Sequence, residues 1–231
     1  MKIHELILKV YLLNDIRLEN VQREICKIID NCFFVIGDFP SIHIENRFKY
    51  YVFSGFYPLE MDKIYKKDTT YTVTIRTIDD YLSDHFIKYL SDEKTSSIKA
   101  LTIEHRILPQ YKIERLFSLT PCILKFEEGY WRNHFPIDEF ERRLKENLIK
   151  KYNSFFDKKV DEDFKVYDIL EFTNKKPVST NYKNIKLLGD KITLYISSDE
   201  QAQEFAYFLL GTGILEMNSR GYGFMNGVWK R

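Results

Sequence analysis

The chain has 231 residues, of which 44% are apolar and 30% charged, and its net charge is +1. That length holds one large domain or two of about 100–150 residues, and this balance excludes a disordered chain. It also excludes a nucleic-acid binder acting through one global positive field, and the lack of an apolar run of about 18 residues argues against export or a membrane span.

Residues 2–12 are rich in β-branched and apolar side chains, which predicts a strand. Leu18, Val21, Ile25, Ile28, Ile29 and Cys32 then recur at helical spacing, with Asn14-Asp15 as a cap region. The stretch Gly37-Asp-Phe-Pro40 breaks the chain. Residues 48–56 and 70–77 predict two strands, Asp79-Asp80 opens a second helix through Leu90, and residues 98–108 supply another strand. The order is βαββαβ. It then repeats. A strand over 116–126, broken at Thr120-Pro121, precedes a helix marked by Ile137, Phe140, Leu144, Leu148 and Tyr152. Residues 164–172 and 183–197 predict strands, the second stretch folding as a hairpin at Gly189-Asp190. The segment 174–181 reads as the most loop-like. Asp199-Glu200 opens a last helix with Ala202, Phe205, Ala206 and Leu209 on one face, and a strand near 222–229 ends the pattern. Two such units in tandem predict an α+β chain of two ferredoxin-like domains, residues 1–114 and 115–231, each an antiparallel sheet with helices on one face.

Three cysteines, Cys26, Cys32 and Cys122, form no C-x-x-C pair, which suggests reduced thiols in a cytosolic protein without a zinc site. Basic clusters at Lys63/Lys66/Lys67, Arg142/Arg143/Lys145, Lys150/Lys151, Lys158/Lys159 and Lys175/Lys176 are interleaved with acids and read as solvated surface.

The last 21 residues hold five of the nine glycines. Glycine is useful where backbone approaches something closely or takes a positive φ, and here it is mixed with Asn218, Ser219, Arg220 and Tyr222, which can donate to phosphate or stack on a base. Arg220-Gly-Tyr-Gly-Phe-Met matches the first six positions of the RNP1 signature. An RNA-recognition motif needs a helix and a strand after that signature, however, and only eight residues follow Gly223, with Gly227 where an aromatic ring should stand. A longer pattern fits better. Placed between the last helix and the last strand, Gly213-Ile-Leu-Glu216-Met-Asn218-Ser219-Arg-Gly221-Tyr-Gly223-Phe resembles the C-terminal glycine-rich loop of the CRISPR repeat-processing endoribonucleases. These form the Cas-six family of the repeat-associated mysterious protein (RAMP) superfamily. The second glycine of the family pattern is Leu215 here, and since leucine enters positive φ at a cost, the first turn of the loop is expected to differ. The family fold is also two tandem ferredoxin-like domains, and the Thr120-Pro121 break and the Asn147…Lys150/Lys151 helix end are similar to family features.

The resemblance implies metal-independent RNA cleavage without a cofactor: the 2′-OH attacks the adjacent phosphorus, expels the 5′-oxygen and leaves a 2′,3′-cyclic phosphate. It assigns the general acid/base to His43, which follows the first helix and precedes Phe53-Ser54. Histidine suits proton transfer because its reference pKa of about 6.5 lies near working pH. Lys49 is the expected cation for the phosphorane, with Arg47 as the alternative. Tyr50 or Tyr51 would assist; strand alternation sends them to opposite faces, so one can serve. The other histidines, His4, His85, His105 and His134, are read as structural or exposed, with His134 a weaker candidate for RNA contact. Gly213, Asn218, Ser219, Arg220, Gly221 and Gly223 would grip phosphates, while Arg142 and Arg143, or the Lys175-Lys176 loop, would receive an RNA stem. The implied partner is CRISPR repeat RNA, with effector-complex subunits and a homodimer left open and no membrane. Two alternatives stand beside the enzyme: a catalytically silent RAMP-type RNA-binding subunit in which His43 is idle, and an unrelated ferredoxin-like interaction domain.

Overall fold

The computed structural model describes residues 1–34 and 47–230. Strand β1 (His4–Leu12) buries Leu6, Leu8, Val10 and Leu12 along one face, as a period of two requires. Helix α1 (Val21–Phe34) turns Val21, Ile25, Ile28, Ile29 and Cys32 onto that face, all of them buried. Two-residue strands β2 (Ile16–Arg17) and β4 (Ile64–Tyr65) pair beside the core, and strands β3 (Tyr51–Phe53), β5 (Thr70–Thr77) and β6 (Ile98–Ile107) complete the first sheet. Helix α2 (Asp80–Tyr89) starts where the Asp79 carboxylate accepts the amides of Tyr81 and Leu82, which satisfies two of the first-turn donors. The sheet order is β3-β5-β1-β6 with every pair antiparallel.

The second unit repeats this plan with β7 (Ile113–Ser118), α3 (Ile137–Phe156) and β8 (Tyr167–Phe172), then a hairpin of β9 (Val178–Tyr182) and β10 (Ile185–Gly189), then β11 (Ile192–Ile196), α4 (Glu200–Thr212) and β12 (Met225–Trp229). Its sheet order, β12-β7-β11-β8, places the strands as the first sheet does, so the chain folds as two tandem ferredoxin-like units.

Two expectations about this unit are corrected. The hairpin turns at Lys183-Asn184, with Ile185 opposite Tyr182, and its first strand occupies the segment that reads as a loop. Gly189-Asp190 is a close crossing instead: a Cβ on Gly189 would lie 2.7 Å from the Cys122 carbonyl oxygen. Asp190 and Cys122 exchange backbone hydrogen bonds of 2.7 and 3.1 Å. The buried Asp190 carboxylate then accepts from Tyr130, Trp131, Arg132 and Asn174, so glycine is needed there for proximity and the aspartate for anchoring. The strand expected over 116–126 ends at Ser118. Beyond Thr120-Pro121 only single bridges remain, Cys122 to Asp190, Ile123 to Glu216 and Phe126 to Gly129.

The units pack directly. Buried Arg76 of β5 donates to Glu5 (2.7 Å) within its own sheet and to the Met225 carbonyl (2.7 Å) and Asn226 (3.3 Å) of β12, and lies over the Phe224 ring at 4.6 Å. A buried guanidinium needs this many partners to offset its lost hydration. Helix α4 closes the joint from the other side, where the Tyr207 hydroxyl donates to the Leu108 carbonyl and Gly211 abuts Ile3 and Ile78. Among the described residues no helix is long and apolar enough to cross a membrane.

Candidate functional site

The glycine-rich segment leaves α4 at Gly213 and returns on itself. The Ile214 amide donates to the Gly223 carbonyl (2.9 Å), the Gly223 amide to Pro121 (2.9 Å) and the Glu216 amide to Ile123 (3.1 Å). A short helical turn, Asn218–Arg220, forms the tip between Met217 (φ 62°) and Gly221 (φ 83°). Two glycines are forced by packing. A Cβ on Gly221 would sit 2.3 Å from the Phe53 ring of β3, and one on Gly223 would sit 2.1 Å from the Ile214 carbonyl oxygen. The loop is therefore built against the first unit, and the tightness of that contact excludes side chains.

Leu215 does not alter the turn in the expected way. It takes φ 57°, the left-handed conformation that a glycine would favour, at a cost of about 1–2 kcal/mol. Its side chain is 1% exposed and packs in the core of the second unit, and burying a leucine contributes about 2–3 kcal/mol. Burial wins. Leu215→Gly is therefore expected to lower stability by about 1–3 kcal/mol despite relieving the backbone, measured by urea unfolding; a more stable variant would show that strain dominates.

The tip residues that the sequence assigns to RNA are largely engaged within the protein. The Asn218 carboxamide donates to the carbonyls of Ile214 (2.9 Å) and Tyr222 (3.0 Å) and accepts from Lys151 (2.6 Å). Arg220 forms a two-pronged ion pair with Asp30 of α1 at 2.7 and 2.9 Å. Both side chains fasten the loop within the protein. Arg142 and Arg143, on α3, lie outside the cleft described next. Arg142 is bracketed by Glu139 and Glu146, and Arg143 lies over Phe126 near Glu216 (3.6 Å).

Between the loop, α3 and the segment leading into β3 lies a cleft lined by Arg47, Lys49, Tyr50, Tyr51, Lys125, Asn147, Lys151 and Ser219, among others. Tyr50 precedes β3 and has φ 53°, which breaks the strand alternation assumed for the two tyrosines. As a result both reach the second unit. The Tyr50 hydroxyl donates to Ser154 (2.9 Å) with its ring edge-on to Phe155, and the buried Tyr51 hydroxyl donates to the Ser219 carbonyl (3.3 Å). Lys49 thus stands in the same cleft as the loop tip. His43 lies outside the described residues.

Lys151 overturns the expectation of a solvated Lys150/Lys151 pair. It is 3% exposed, and its ammonium donates to Asn218 and to the carbonyls of Gly213 (3.0 Å) and Leu215 (3.4 Å). Burial pushes its pKa down to about 7. Its position was legible: it lies three residues after Leu148 and beside Tyr152, on the stripe that faces the core. One turn earlier, the Asn147 Oδ1 atom is buried in the same cleft and has no hydrogen-bond partner among the described residues.

The other histidines stand apart from the cleft. His4 lies between Asp80 (2.6 Å) and His105 (3.0 Å), His85 bonds the Cys32 carbonyl (3.0 Å), and His134 is exposed. Burial pushes the thiols of Cys26, Cys32 and Cys122 up to about 12, so they are poor nucleophiles. Among the described residues no three His, Cys, Asp or Glu side chains converge as a metal site.

Residues 108–226 match the family model for "CRISPR associated protein Cas6, C-terminal". No curated protein matches the sequence. Among solved structures, the chain is similar to one described as an RAMP protein binding different RNA substrates, with 19% identity, coverage of 97% of this chain and 99% of that one, and a TM-score of 0.76. It is also similar to a CRISPR associated protein Cas6 (19% identity, 98% and 99% covered, TM-score 0.69). A third is the product of a Cas6-related gene from Pyrococcus furiosus (18% identity, 99% and 100% covered, TM-score 0.68). At these identities the likeness is one of fold, and it spans the whole of both chains.

Proposed function

Because the chain belongs to the Cas6 family of CRISPR-associated proteins, we propose that it is a precursor-RNA endoribonuclease that cuts within repeat RNA and leaves a 2′,3′-cyclic phosphate. The observation that carries this reading is the cleft, where Lys49 and Tyr50 of the first unit meet the glycine-rich loop of the second. A single strand of RNA held by the loop would present its scissile phosphate to Lys49.

The 2′-oxygen forms a bond to phosphorus while the bond to the 5′-oxygen breaks; one proton leaves the 2′-OH and one reaches the departing oxygen. His43 moves a proton at one of these atoms, as a group titrating near neutrality can do efficiently. The Lys49 ammonium, or that of Lys125 across the cleft, offsets charge gathering on the phosphoryl oxygens. Tyr50, held by Ser154 and Phe155, shapes the floor. Ser219 at the loop tip holds a flanking phosphate. On this division of labour the unit within residues 1–114 supplies the chemistry and the unit within 115–231 supplies the grip.

The test is incubation of the full chain with end-labelled repeat RNA under single-turnover conditions and mapping of product termini. One internal cut with a cyclic phosphate on the upstream fragment is the expected result; bound but intact RNA would favour a silent RNA-binding subunit. EDTA is expected to leave the rate within about twofold, because the roles above need only side-chain proton transfer and cationic side chains. A strict Mg²⁺ requirement would overturn the mechanism.

A further inference from the structure

Lys151 is a buried cation at the base of the glycine-rich loop. A buried ammonium is costly unless fully partnered, and a neutral amine has only two N–H donors where an ammonium has three. Three oxygens converge on Lys151 Nζ: the Gly213 and Leu215 carbonyls and Asn218 Oδ1. Without a cation between them these oxygens would repel one another. The chain of bonds continues through the Asn218 carboxamide, whose amide hydrogens reach the Ile214 and Tyr222 carbonyls and so tie both arms of the loop. The same ammonium lies 6.0 Å from the Phe48 ring, so it sits where α3, the loop and the segment before β3 meet. Around it two non-glycine residues, Leu215 and Met217, hold left-handed backbones, a conformation that persists only where neighbours enforce it.

We propose that Lys151 is a positioning residue whose buried ammonium holds the glycine-rich loop in its RNA-gripping shape, acting on RNA affinity through the loop rather than by touching RNA. The RNA half of this proposal rests on the function proposed above; the loop half does not.

The experiment compares the full-length wild type with Lys151→Met, which keeps the bulk and removes the charge, and Lys151→Ala with and without propylammonium, which replaces the missing atoms from Cγ to Nζ. Hydrogen exchange of the free protein is read at the amides of Ile214, Glu216, Gly221 and Gly223, all hydrogen-bonded within or beside the loop. In Lys151→Met, exchange is expected to rise at least ~10-fold at these amides and to stay unchanged in the first sheet. The Kd for a repeat RNA blocked by a 2′-deoxy nucleotide at the scissile position rises ~10–100-fold, while the single-turnover rate at saturating cleavable RNA stays within about threefold. Propylammonium restores both loop exchange and affinity in Lys151→Ala, and propan-1-ol does not. Loop exchange within about twofold of wild type in Lys151→Met, or no response to propylammonium, would overturn the proposal. If Lys151→Met does not fold, Lys151→Gln, which keeps a neutral N–H donor and removes the charge, is read by the same exchange measurement. A wild type that neither binds nor cuts repeat RNA would overturn the functional reading alone, and loop exchange would still decide the role of Lys151.

Discussion

His43→Ala is expected to abolish cleavage of repeat RNA and to leave its binding largely intact. General acid–base catalysis by a positioned side chain contributes about 10²–10⁴-fold, so the single-turnover rate is expected to fall at least ~100-fold. Binding is spared because the contacts proposed for it lie elsewhere, on the loop tip and on Lys49 and Lys125 in the cleft. Of the five histidines, the four in the described residues are accounted for by other partners or by exposure away from the cleft, so the chemistry has a single histidine candidate. The measurement is a time course with protein in excess over labelled RNA, alongside the Kd for the 2′-deoxy-blocked repeat. Cleavage at near wild-type rate would remove His43 from the mechanism and shift attention to the Lys49 ammonium and the Tyr50 hydroxyl.

Gly223→Ala should do the opposite, impairing grip and stability together. A methyl group there would lie 2.1 Å from the Ile214 carbonyl oxygen, a backbone atom that cannot swing aside. The residue also needs φ 69°, which costs alanine about 1–2 kcal/mol. Relief requires the two arms of the loop to separate, which breaks the Ile214–Gly223 and Gly223–Pro121 hydrogen bonds, each worth about 1 kcal/mol. The sum is about 3 kcal/mol of lost stability by urea unfolding, with Kd for the blocked repeat raised at least ~10-fold. An alanine variant with wild-type stability and affinity would show that the loop is neither tightly closed nor used. Taken with His43→Ala, the pair separates holding from cutting, since one variant should lose affinity and the other should lose rate.

Local pattern carried most of the architecture. Period-two burial in β1, helical spacing in α1 and α3, and the aspartate caps of α2 and α4 are short-range properties, and they suffice to write βαββαβ twice. The hairpin was misplaced because Gly189-Asp190 imitates a turn signal, while its glycine serves a crossing with Cys122 that no local pattern encodes. Tyr50 departs from alternation as well: its backbone takes φ 53°, and its hydroxyl donates to Ser154 of the second unit.

The glycine-rich loop shows both sides of this division. Its residue pattern, set between the last helix and the last strand, resembles that of one RNA-processing family, and at Gly221 and Gly223 positive φ and close contact restrict residue type directly. Which side chains turn inward was decided by packing. Asn218 and Arg220 look like RNA ligands along the chain, but the folded loop uses them inward, toward Lys151 and Asp30. Lys151 looks like surface in a run of charges, but α3 turns it beneath the loop, where its Nζ donates to three converging oxygens. Burial and partnership are properties of residues brought together from distant parts of the chain, so only the tertiary structure could decide them.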